Sequence, residues 1–147
     1  MTPTLWGRIQ TRVIVLGVIG AVITLLITPL LPMERLSLEQ GYRVTLTMLV
    51  AVILLGVGWE LAYHGLQQFR WDKDWPTVFG LVTIANEGLL LWLLTRYTSA
   101  VVPRDLRPSA PAFGIDFTLT WLAYWGFVNG PIRVVLPRWR YTGGRVL

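Results

Sequence analysis

The chain has 147 residues, of which 54% are hydrophobic and only 14% charged, with a net charge of +5 and no cysteine. Soluble domains carry roughly 25% charged residues, so the composition argues for a chain that meets lipid, and the length suits a single domain. Without cysteine there are no disulfides, thiolate metal sites, iron–sulfur clusters or cysteine nucleophiles. The surplus positive charge lies at the ends of apolar runs, which fits anionic headgroups better than nucleic acid.

Residues 2–12 form a lead-in. Leu5, Ile9 and Val13 recur at i, i+4, i+8, with Arg8 and Arg12 on another face. That pattern suits an interfacial segment or a first helix that starts early. Trp6 is an interface anchor. The first apolar run, residues 13–31, is too long for a signal-peptide core and no small-x-small cleavage site follows it, so it reads as a retained span. Nothing in it is ionisable, and Pro29 and Pro32 close it. This span is expected to pack against its neighbours or to face lipid.

Ser37 followed by Gln40 resembles a capping box, which starts a second helix near Leu38. The apolar span within it covers about 44–66. Near its end Glu60, His64 and Gln67 fall at i, i+4, i+7 on one helix face. Lipid does not tolerate such a face, so it turns toward protein or water. The following connection, Arg70–Pro76, sets alternating charges between Trp71 and Trp75, two further headgroup-level anchors.

The third span covers 77–96 and holds Asn86 and Glu87 near its middle. Glu87 lies ~15 Å along the axis at 1.5 Å per residue. Charged groups at that depth cost about 2.5–3.5 kcal/mol on an insertion scale. Residues 98–115, with Pro103, Pro108 and Pro111, read as an extended solvated loop. The fourth span covers 117–136. It contains Gly126 and Gly130 at a close-packing spacing, with Asn129 between them. Pro131 is expected to kink it, and Arg133 sits about one turn inside. Arg133 and Glu60 are at matched depth and are expected to pair. Residues 137–147 form a basic, aromatic, surface-lying tail anchored by Trp139.

These elements define an all-α fold: a polytopic membrane protein with four transmembrane helices in an antiparallel bundle, one integral membrane domain. More basic residues fall on the side of Arg8, Arg12, Arg70, Lys73, Arg133, Arg138, Arg140 and Arg145 than on the side of Arg35, Arg43, Arg96, Arg104 and Arg107. The positive-inside rule therefore puts both termini in the cytoplasm, and the composition suggests a bacterial inner membrane.

The chain shows no nucleophile–base pair, no phosphate-cradling glycine loop and no metal cluster. Only Glu60 and His64 stand at ligand spacing, too few for a metal or haem site. The expectation is a non-enzymatic multi-pass membrane protein without cofactor. It would act as anchor, scaffold or assembly subunit of a membrane complex, with lipids and other membrane-protein subunits or further copies of itself as partners. The alternative is a small homo-oligomeric proton-coupled transporter or channel with Glu87 as its titrating group. Glu87→Gln separates the two, being nearly silent in a scaffold and abolishing proton-linked flux in a transporter.

Overall fold

The computed structural model describes residues 4–69 and 77–147, and every regular element among them is helical. The connection with Trp71 and Trp75 and the side chain of Gln67 lie outside the described residues.

The first helix, α1, runs from Leu5 to Leu30. It starts on Thr4, whose side chain accepts a hydrogen bond from the Gly7 amide, one of the amides a helix start leaves without an intrahelical partner. Within α1, Arg12–Gly20 is π-helical and Thr28–Leu30 is a 3-10 turn. Of the two readings of residues 2–12, the structure has the helix that starts early: it begins at Leu5 and carries Arg8 and Arg12 as part of its length.

Helix α2 spans Leu38–Gln67. Its capping box is present, with the Ser37 hydroxyl accepting from the Gln40 amide (3.2 Å) and the Gln40 side chain accepting from the Ser37 amide (2.9 Å). Ser37→Ala is expected to cost about 1 kcal/mol of stability, readable as a lowered unfolding midpoint in detergent.

Helix α3 spans Thr77–Tyr97 and α4 spans Ala110–Asn129. Here the structure corrects the reading of 98–115 as loop and of 117–136 as the fourth helix. The Ser109 side chain accepts from the Ala112 amide, and Pro111 sits in the first turn, where a missing N–H costs nothing. At the other end Pro131 breaks the helix instead of kinking it. A separate short turn, α5 (Ile132–Val135), and a 3-10 turn, Pro137–Arg140, follow.

The long helices close a ring: α1 packs on α2 and α4, α2 on α3, and α3 on α4. Consecutive helices run in opposite directions. Thr28 of α1 lies 2.9 Å from Thr45 of α2, and Trp92 of α3 packs on Phe113 of α4, ring centroids 4.9 Å apart. Leu16, Met48, Leu91, Phe117 and Trp121 fill the centre. Two stretches among the described residues, Leu5–Leu30 and Leu38–Leu66, are long and apolar enough to cross a membrane. Helix α4 carries Asp116, Thr118, Thr120 and Asn129 among its apolar residues.

The tail does not lie free. Trp139 donates from its indole nitrogen to the Thr11 hydroxyl (2.8 Å), which donates to the Gly144 carbonyl (2.8 Å), and the Thr4 amide donates to the Gly143 carbonyl (2.8 Å). Gly143 and Gly144 both have positive φ, a conformation that glycine adopts without the penalty a side chain brings. A Cβ at Gly7 would run into the Gly143 carbonyl, so the tail clasps the start of α1 at a backbone-to-backbone approach.

Candidate functional site

Glu87 lies on the inner face of α3 and is 4% exposed. Both its carboxylate oxygens are taken by one guanidinium: Arg12 Nη1 donates to Oε2 at 2.7 Å and Nη2 to Oε1 at 2.8 Å. This is the bidentate fork that makes arginine–carboxylate pairs both strong and directional. Arg12 is equally buried at 4%. The Trp121 indole N–H adds a longer donation to Oε2 at 3.3 Å. Arg12 Cζ also lies 5.9 Å from the centre of the Tyr124 ring.

The same guanidinium reaches a second acid. Arg12 Nε is 3.4 Å from Glu60 Oε1, and Arg8 Nε is 3.4 Å from Glu60 Oε2. These are ion-pair contacts, looser than the fork on Glu87. Two acids and two bases thus form one alternating chain, Arg8–Glu60–Arg12–Glu87, with no surplus charge. Space for it comes from α2: a Cβ on Gly56 would fall on the Arg12 guanidinium. Glycine there is a matter of room.

The chain of charges opens into a cavity of about 550 Å³ at the end of the bundle where α1 begins. Arg8, Glu60, Tyr124, Asn129, Arg133 and Trp139 are among its walls. Arg133 is exposed on α5 beyond the end of α4. The expected Glu60–Arg133 pair is replaced by Glu60 with Arg8 and Arg12, because α1 starts early enough to bring both arginines alongside α2. Arg133 shares the cavity with Glu60 and stands beyond the helix break at Gly130–Pro131. Asn129 turns its amide back to the Trp125 carbonyl at 2.8 Å.

Of the remaining expected site residues, Asn86 is exposed on α3, beside but not part of the Glu87 cluster. His64 is half-buried near the end of α2, beyond Trp59 and Tyr63, whose rings stack at 5.6 Å. Trp6 is exposed, and Trp139 is engaged with Thr11.

Sequence reasoning missed Arg12, Arg8, Trp121 and Asp116. Asp116 is 4% exposed, and its Oδ1 has no hydrogen-bond partner among the described residues. It borders a small void of about 10 Å³ with Thr24, Thr120 and Trp121, room for about one water. No group of three or more metal-ligating side chains occurs among the described residues. The chain matches no family model, no curated protein and no solved structure.

Proposed function

We propose that the chain is a non-enzymatic, four-span protein of the bacterial cytoplasmic membrane, an anchor, scaffold or assembly subunit whose buried charges lock its helices together. The observation that carries the membrane part is the distribution of apolar surface. Val18, Val22 and Leu26 on α1, Val50, Leu54 and Leu61 on α2, Leu89 and Leu93 on α3, and Ile115, Leu119 and Leu122 on α4 are all exposed. The interior meanwhile holds Arg12, Glu87, Asp116 and a set of buried threonines. A water-soluble bundle has the opposite arrangement, and extended exposed apolar surface marks contact with a membrane or a partner.

The scaffold part is supported by the Arg12–Glu87 fork. Its two directional hydrogen bonds tie α1 to α3 across the interior, the geometry of a helix lock. The transporter alternative, with Glu87 titrating, lacks a comparable supporting contact. Charge asymmetry favours the cytoplasmic side for Thr4 and Gly143, which meet and so share one side.

The absence of native cysteine makes the test direct. Single cysteines placed at Tyr141 and at Ala100 should be labelled oppositely by an impermeant maleimide. In spheroplasts Ala100→Cys should react and Tyr141→Cys should react only after lysis. Release of the protein from membranes by alkaline carbonate, without detergent, would refute the membrane reading. Extraction in mild detergent then tells whether other subunits or further copies co-purify, the result expected of a scaffold.

A further inference from the structure

At the end of the bundle opposite the Arg8–Glu60 cavity, two connections and the end of α3 meet around a second cavity of about 440 Å³. Its walls bring together Arg35 from the α1–α2 connection, Arg96 from the last turn of α3, and Arg107 from the α3–α4 connection. The Ser109 hydroxyl, at its edge, donates to the Pro32 carbonyl at 2.9 Å and so fastens the two connections to each other. Among the described residues the only acid in the walls is Glu34. Among the described residues no ion pair joins Glu34, or any other acid, to the three arginines.

This differs from the charge chain at the other end, where every base has its acid. Three guanidinium groups drawn to one cavity repel one another unless an anion lies between them. Arg107 is further constrained: its Nη2 donates to the Thr98 carbonyl at 2.7 Å, while its Nε is buried without a hydrogen-bond partner among the described residues. The arginines come from separated parts of the chain, so the fold, not local sequence, assembles the cluster. Setting one acid against three bases leaves an excess of two positive charges. A phosphate group, with one to two negative charges and several acceptor oxygens, answers both the charge and the fork-shaped donors.

We propose that this cavity is a phosphate-binding site, occupied by a phospholipid headgroup or by free phosphate. The inference does not depend on whether the chain is a scaffold or a transporter. Arg35 and Arg96 are exposed and make no hydrogen bond or ion pair among the described residues, so the double variant Arg35→Gln/Arg96→Gln should keep the helical content of the parent. Arg96→Gln alone serves if the double variant does not.

The purified full chain in a neutral maltoside detergent is tested in two arms. In the first, native mass spectrometry compares retention of phosphatidylglycerol with that of zwitterionic phosphatidylcholine. In the second, inorganic phosphate is titrated against thermal unfolding at constant ionic strength. Each arginine removed should weaken binding about tenfold. Loss of phosphatidylglycerol retention in the variant supports a lipid headgroup, and loss of the phosphate-induced stabilisation supports free phosphate. Binding that is equal in parent and variant in both arms, or undetectable in both, overturns the proposal.

Discussion

Glu87→Gln is expected to lower the stability of the folded chain by about 3 kcal/mol, the low end of the 3–5 kcal/mol typical of breaking a buried ion pair. The glutamine would still accept one hydrogen bond, but the Arg12 guanidinium would remain buried without its counter-charge. Glu60, 3.4 Å from Arg12 Nε, offsets part of the loss, which is why the low end applies. Arg12→Gln should cost as much or more, since it strands Glu87 and leaves Glu60 with Arg8 alone. Replacing both, Arg12→Leu with Glu87→Leu, should recover most of the loss, because a well-packed apolar pair avoids the desolvation of two ions. A double-mutant cycle by denaturant titration in detergent micelles reads the coupling directly. Additive single losses would refute the pairing. The fork also removes the simple diagnostic expected from sequence, in which Glu87→Gln would be silent in a scaffold. The discriminating measurement becomes proton flux in the apolar double variant, provided it folds: flux above that of empty liposomes and equal to the parent's would show that Glu87 carries no proton.

Gly56→Ala is the second large expected effect, a loss of about 1–3 kcal/mol from overpacking. The added methyl would occupy the position of the Arg12 guanidinium. A flexible side chain can usually move aside, but this one is held by two hydrogen bonds of 2.7 and 2.8 Å to Glu87. Moving it means loosening the fork. In the Arg12→Leu/Glu87→Leu background the same substitution should cost less than about 0.5 kcal/mol, since nothing then fixes the neighbouring atoms. By contrast Gly17, on the same helix as Arg12, has open space where a Cβ would stand. Gly17→Ala should be neutral to slightly stabilising, as expected of alanine in a helix, and provides the control.

The helical class, the capped start of α2 and the cost of Glu87 were all legible in the sequence, because each rests on local chemistry. Ser37 and Gln40 sit at a spacing that only a helix start uses, and a carboxylate amid apolar residues stands out without any knowledge of its neighbours. What was not legible depends on direction and on distance along the chain. Arg12 borders the first apolar run, and an arginine there usually reaches outward to headgroups. In this fold it reaches inward instead, to an acid 75 positions away. Glu60 was visible, but its partner was assigned to Arg133 on matched depth, an argument that fails once α4 stops at Asn129. Pro111 misled for a related reason: proline in a loop and proline in a first helical turn look the same until the Ser109 cap is considered. Asp116 fell at the edge between an expected loop and an expected span and so was assigned to neither. The three arginines of the far cavity lie in three different segments and carry no joint signal in the sequence.

The lock on Arg12 also bears on how the chain is made. Synthesis runs from the amino terminus, so α1 emerges while both of its acids are still to come. Glu60 arrives with the end of α2, and Glu87 only midway through α3. Until Glu87 is made the guanidinium lacks its bidentate partner, and an arginine at a helix centre costs about 2.5–3.5 kcal/mol to place in lipid. In a membrane the nascent α1 would therefore rest with Arg12 held at the headgroup level, and settle inward when α3 supplies its carboxylate. The contacts of Gly143 and Gly144 come later still, because these residues can close over Thr4, Gly7 and Thr11 only once they have themselves been made. The contacts thus form in a fixed order: Glu60 meets the arginines of α1 first, Glu87 completes the fork second, and the clasp of Gly143 and Gly144 on the start of α1 comes last.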